Sequence, residues 1–333
     1  LNAAMQDRER HWTAKDVATR MDWSLRASYA HGTVAIRTHL DSTAPQHAIS
    51  WPVFAQVRDA WRGRIDLQAV TILQLEGFES DLGVELADLV AAHRGILGGV
   101  ALPAPDLDAR LDRVFALAAD RGLELDFHAD ESGDPQARAL AAIARAKLRH
   151  RFPGKVTVGH CCSLAVQDEA TVDRTLELVA EAGLAIVSLP LCNLYLQDRR
   201  PGRTPRWRGV TLLREMAALG IPVAVASDNC RDPFYGYGDH DGLEVFTQAA
   251  RICHLDRPVG DWPCAVTRTP ASVMGLTAAG RIAVGLPADL VLFEARRYSE
   301  LLSRPQADRI VLRQGCPIDT TLPSYRELDA LFA

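Results

Sequence analysis

The feature that most limits the fold is an alternation, repeated seven times, of a short apolar or β-branched run with a helical pattern. The runs cover residues 32–38, 65–72, 95–102, 123–131, 155–160, 184–189 and 221–226. Helical patterns fall near 48–62, 80–94, 105–121, 135–150, 166–182, 209–219 and 241–254. Strands separated by helices of roughly 10–15 residues build βαβ units and a parallel sheet. An open doubly wound sheet also suits seven strands, but its G-x-G-x-x-G phosphate loop is absent. The expected architecture is therefore α/β, a (β/α)8 TIM-type barrel over residues 1–275, one strand short of the eight of a closed barrel. The chain opens on Leu1 rather than methionine. That points to a trimmed protein or a piece of a longer one, with the first strand expected upstream.

Residues 3–30 read as one or two helices, with Thr13 in a start signal for the second. From about 276 the pattern changes to short strands and turns. Small β-elements are expected around Gly280 and Gly285, and buried strands at 288–293 and 309–312, giving a partial β-sandwich appendage over 276–333. The net charge of -5 gives no electrostatic case for nucleic acid or an anionic membrane. No apolar run approaches the roughly 20 residues that span a bilayer. The seven cysteines are odd in number and contain no C-x-x-C pair. They read as reduced thiols of a cytoplasmic protein.

The strand ends carry the chemistry. In Leu123-Glu124-Leu125-Asp126-Phe127-His128-Ala129-Asp130-Glu131 the leucines and Phe127 share one face, and Glu124, Asp126 and His128 the other. The apolar face packs on helices, which turns His128 inward. Asp130 and Glu131 follow at the C-terminal end of the strand, where parallel α/β folds place their active sites. The other strands end in Thr38-His39-Leu40-Asp41, His160 and Asp228, and the run at 184–189 leads to an expected loop at Pro190-Leu191-Cys192-Asn193. Histidines and carboxylates gathered at several strand ends are costly to bury unless a metal or a pairing compensates. Imidazole with carboxylate in an open site suits Zn2+ or Fe2+.

In this order and spacing, these residues resemble the cytosine deaminase branch of the amidohydrolase superfamily over nearly the whole chain. The resemblance rests on Arg37-Thr38-His39-Leu40-Asp41, Asp126-Phe127-His128-Ala129-Asp130-Glu131, Gly159-His160, Pro190-Leu191-Cys192-Asn193, Asp228, and Gly285-Leu286-Pro287-Ala288-Asp289 near the end. It implies one divalent metal ion, with His128 and Asp228 as ligands. It also implies that His160 orients the attacking water, that Glu131 shuttles protons to the ring and the leaving amine, and that Asp228 takes a proton from the water. The other zinc deaminase signature, H-x-E with P-C-x-x-C, is absent.

The H-x-H pair of the family's first strand has no match and is expected upstream. His39 and Asp41 match the second strand, which shapes the substrate pocket; an H-x-D metal pair is the alternative. Asn229 stands where cytosine-specific members carry a second aspartate. Gln74, Asn193 and Asn229 are further candidates for contact with substrate. Asp130 supports either the metal site or a helix start. The expected reaction is deamination of a small amino-substituted heterocycle, with cytosine leading and isoguanine, pterins and triazines open. Cyclic-amide hydrolysis and a non-catalytic homologue are the alternatives. The resemblance also implies a homo-oligomer.

Overall fold

A computed structural model describes residues 2–331. Helices α1 (Asn2–His11) and α2 (Ala14–Ala30) open the chain, and the Thr13 hydroxyl caps α2 by accepting from the Asp16 amide at 3.2 Å. Then come β1 (Ala35–Asp41), α3 (His47–Ala60), β2 (Asp66–Ile72), α4 (Asp81–Ala92), β3 (Leu97–Ala101) and α5 (Leu107–Arg121). The series continues with β4 (Leu125–Ala129), α6 (Ala139–Arg149), β5 (Val156–His160), α7 (Glu169–Ala182) and β6 (Ala185–Ser188). After these lie α8 (Pro190–Leu196), α9 (Leu213–Ala218), β7 (Val223–Val225), α10 (Gly242–Ile252) and α11 (Arg268–Val273). Strand β8 (Leu290–Leu292), helix α12 (Tyr298–Leu301), β9 (Ile310–Arg313) and β10 (Cys316–Pro317) end the order.

These residues form two compact units. One is Arg37–Pro52 with Gln68–Ala224; the other takes the residues up to 36, 53–67 and those from 225 on. In the first unit β3, β4, β5, β6 and β7 form a sheet in sequence order, with β3–β4, β4–β5 and β5–β6 parallel. Parallel bridges Val70–Ile96 and Gln74–Val100 join the end of β2 to the same wall. Expected parallel βαβ construction is therefore present. The outward residues of β4 behave as their alternation demands: Leu125 and Phe127 are fully buried, and Phe127 stacks on Phe115 of α5 at 6.0 Å between ring centroids.

Three local expectations are corrected. Helix α6 starts at Ala139 rather than near 135, because Asp134 holds a turn by accepting from the Gln136 amide at 2.8 Å. The Pro190–Asn193 segment is not a loop but the first turn of α8, with Pro190 at the first helical position, where its missing N–H costs nothing. No strand forms at 280–287, where Ile282 and Val284 lie exposed.

In the other unit, α2 packs Val17 and Leu25 against Val53, Val57, Trp61 and Ile65. Strands β8, β9 and β10 make a three-stranded antiparallel sheet in the order β10-β9-β8. Only Val311 in that sheet is buried; Leu292 and Ile310 are exposed, so the expected buried strands are half-open ones. Arg309, just before β9, grips Asp241 through two hydrogen bonds of 2.7 and 2.6 Å, and Asp241 in turn caps α10 by accepting from the Leu243 amide at 2.9 Å. All seven cysteines are free thiols. Among the described residues no helix is long and apolar enough to cross a membrane.

Candidate active site

Strand register explains which side chains meet in the first unit. His128 of β4 stands opposite Val100 of β3 and Gly159 of β5, so the flank toward β5 carries no side chain. Asp126, one inward step earlier, pairs with Gly98 and Thr157. His160 pairs with Ala129 and by strict alternation belongs to the opposite face from His128. Its backbone resolves this. His160 and Cys161 have φ of 71° and 53°, left-handed values that bend the strand end. The ring of His160 thereby comes to 4.9 Å from that of His128, and His39 of β1 meets His128 edge-on at 4.7 Å. Asp130 shares the left-handed backbone, at φ 52°. Two consecutive strand ends thus hold unfavourable backbone at or beside candidate site residues, a place where strain commonly collects.

Beneath the three imidazoles lies a polar layer that sequence reasoning missed. The Arg37 guanidinium donates to Gln68 Oε1 at 2.9 and 3.0 Å, to Asp126 Oδ2 at 3.1 Å and to Thr157 Oγ1 at 3.3 Å. Asp126 is 4% exposed, and its other oxygen lies 3.4 Å from His39 Nε2. Burial alone would raise the Asp126 carboxyl, but the His39 hydrogen bond and charge, with the Arg37 guanidinium, hold it below the usual range. The signal was present in the inward parity of Asp126 with His128 and in an arginine set among β-branched residues. What the sequence did not show is that Arg37 and Asp126 meet.

Both neighbouring rings are held neutral. Burial pushes His128 well below the ordinary imidazole value, with His39 and His160 adding to the shift. Burial likewise pushes His160 down to about 3, helped by His39 and opposed by Asn193 and Asp126. Neutral imidazole is the form that has a lone pair to give. Nδ1 of His128 and Nε2 of His160 are shut off from solvent and meet no protein donor or acceptor. The buried, neutral ring of His128, with a nitrogen that meets no partner and two further rings beside it, fits the demands of a divalent cation site.

The remaining candidates are placed as follows. Glu131 is exposed, with Oε1 3.4 Å from His160 Nδ1. Asn193 on α8 is 1% exposed; its Nδ2 lies 3.2 Å from Glu131 Oε1 and 3.0 Å from His160 Nδ1. Gln197, four residues on, donates to the Glu131 carbonyl at 3.2 Å. Asp130 accepts from the amides of Ala139 and Leu140 at 2.9 Å each, which makes it the cap of α6. Asp41 is half-buried at the end of β1, and Gln74 is exposed just past β2. Asp228 and Asn229 belong to the other unit and follow β7; Asp228 has φ of 64°, and Asn229 donates to Asp232 Oδ2 at 2.6 Å.

A parallel α/β wall with neutral imidazoles and carboxylates at its strand ends offers the donor set of a cation-assisted hydrolase. The chain belongs to the amidohydrolase family, whose model matches residues 2–317. It is 58% identical over 332 residues to the pterin deaminase of Rhizobium rhizogenes strain K84, covering 99% of this chain and 76% of that protein. Among solved structures it resembles 5-methylcytosine deaminase from Klebsiella pneumoniae liganded with 5-fluorocytosine. The TM-score is 0.82 at 27% identity, over 94% of this chain and 77% of that one. N-isopropylammelide isopropylaminohydrolase from Burkholderia multivorans ATCC 17616 is similar with a TM-score of 0.77 at 27% identity, over 90% and 75% of the two chains. Members of the family hydrolyse carbon–nitrogen bonds, and so does this enzyme.

Proposed function

We propose that this enzyme removes the exocyclic amine of a pterin by hydrolysis. The observation that carries the deaminase reading is the placement of the exposed Glu131 carboxylate 3.4 Å from the buried, neutral His160 at adjoining strand ends. The choice of ring is supported by the Rhizobium relative, and it moves the leading candidate from cytosine to a pterin.

Deamination needs a water oriented on the amidine carbon, a group that accepts its proton, and an acid for the leaving amine. His160 orients the water through Nε2, the nitrogen that meets no protein group. Glu131 takes one of the water's two protons to the ring nitrogen, and the other, accepted by Asp228, passes through Glu131 to the leaving amine, a role that its exposure to incoming substrate suits. A carbon–oxygen bond forms, the carbon–nitrogen bond breaks, and ammonia leaves. One divalent cation held by His128 and Asp228 supplies, when bound, the polarisation that makes water a nucleophile at neutral pH. Zinc and ferrous iron both suit imidazole and carboxylate donors. In this reading the parallel wall is part of a (β/α)8 barrel, and His39, Asp41, Gln74 and Asn229 are its proposed substrate-facing positions.

The test is ammonia release from pterin, cytosine, isoguanine and aminotriazines, with the protein loaded in turn with zinc and iron and then stripped by chelation. Ammonia from pterin alone, lost on chelation and restored by one metal, is the expected result. Ring opening without ammonia would favour cyclic-amide hydrolysis. No product with either metal would favour a non-catalytic homologue.

A further inference from the structure

Asn193 sits where one amide nitrogen serves two acceptors. Its Nδ2 lies 3.2 Å from Glu131 Oε1 and 3.0 Å from His160 Nδ1, and the residue is buried. Amide orientation is assigned from such a network, and here the carboxylate decides it. The Glu131 carboxylate oxygen at 3.2 Å is the acceptor of this contact. The amide group facing Glu131 must therefore be the NH2. Turned the other way, the amide oxygen would oppose the carboxylate, and both amide hydrogens would be left unpaired in the core. The carboxylate is 3.4 Å from Nδ1 of His160 without a hydrogen bond to it, whereas the amide is 3.0 Å away and bonded, so Nδ1 accepts from the amide and a neutral imidazole then carries its one proton on Nε2.

We infer that Asn193 is a positioning residue that locks His160 in the Nε2–H tautomer, so that His160 enters the site as a hydrogen-bond donor and not as a lone-pair ligand. The same amide keeps Glu131 beside it. Helix α8 is built for this. Asn193 lies within it and Gln197 follows its last residue, so one reaches the carboxylate of Glu131 and the other its carbonyl. Nε2 of His160 is the atom left without a protein partner, which is where the donated hydrogen is needed. This moves Asn193 from a candidate substrate contact to a residue that acts through its neighbours. The inference rests on the deaminase reading in one respect only, the use made of that hydrogen.

The tautomer is measured directly by long-range proton–nitrogen correlation on 15N-histidine-labelled, metal-free protein. The expected result is a proton on Nε2 of His160 in the wild type. Asn193→Asp, whose carboxylate only accepts, moves it to Nδ1, and Asn193→Ala leaves a mixture. A proton on Nδ1 in the wild type overturns the inference even if no variant folds. An unchanged tautomer in a folded Asn193→Asp protein overturns it as well. With metal and pterin, Asn193→Asp is expected to lower kcat by about 10–100-fold, the usual effect of losing an orienting partner, with KM within about twofold of the wild type. A raised KM with unchanged kcat would return Asn193 to the substrate contacts. The nuclear magnetic resonance result stands whichever ring is deaminated, so failure of the tautomer and failure of the substrate reading are told apart.

Discussion

Arg37 and Asp126 show what a single buried charge requires. Both side chains are under a tenth exposed, and they meet at 3.1 Å beneath the three histidine rings. Removing one partner of a buried pair leaves the other uncompensated, at a cost of about 3–5 kcal/mol. Arg37→Met is therefore expected to destabilise the protein by that order in urea unfolding. The double change to Arg37→Met with Asp126→Leu should recover most of the loss, because no stranded carboxylate remains. Equal destabilisation in the double variant would show that Gln68 and Thr157, rather than Asp126, set the value of Arg37. The inward histidine and the acids after it were legible in the sequence, since strand parity and the turn at Ser132-Gly133-Asp134 announce them. The pairing of Arg37 with Asp126 was not. It joins residues 89 apart in the chain, and no local pattern reports a contact at that distance.

At the scale of elements, two short structures hold the proposed catalytic groups. Asp130 caps α6 through two amides, and deleting such a cap costs about 1–2 kcal/mol. Asp130→Ala is expected to lower the unfolding free energy by that amount. Helix α8 is held from behind by Gly209, whose φ is 68°; a Cβ there would fall 2.3 Å from Gln197 Cβ and 2.7 Å from the Asn193 carbonyl. Gly209→Ala is expected to reduce kcat severalfold in a protein that still folds, as Gln197 is pushed off the Glu131 carbonyl.

Helices α5 and α6 are also tied at the surface. Asp112 accepts from His150 at 2.6 Å and from Arg149 Nε at 3.1 Å. Partial burial tends to raise its carboxyl, but these hydrogen bonds bring it below the ordinary value. A depressed carboxylate contributes stability above its unfolded pKa and loses it as pH falls through the folded one. Wild type should thus exceed Asp112→Asn by about 0.2–1 kcal/mol at pH 7, and the gap should close by about pH 2. Of these elements α5 and α6 were readable from periodicity. Helix α8 was hidden, because Pro190-Leu191-Cys192-Asn193 carries the composition of a turn as much as that of a helix start.

For the molecule as a whole, cation binding and folding are linked. A ligand that binds only the folded state stabilises it by about 2.7 kcal/mol at 100 times its Kd. The thermal midpoint is therefore expected to rise with zinc or ferrous iron and to return on chelation, and the rise should shrink in His128→Ala. A midpoint insensitive to either metal would argue against the cation site. The β-appendage was the least readable part of the chain. Ile282 and Val284 have the composition of a strand, yet both lie exposed without pairing, because a lone apolar run makes no strand without a neighbour to bond.

In the five-stranded sheet each strand lies beside the one that precedes it in the chain. Every strand therefore finds its template already made when it leaves the ribosome, and none has to wait for a later segment to open a slot. Pairings between consecutive elements close short loops, which keeps the entropic barrier to each addition low. The nascent wall grows at one edge, where the newest strand stands unpaired only until the next one arrives.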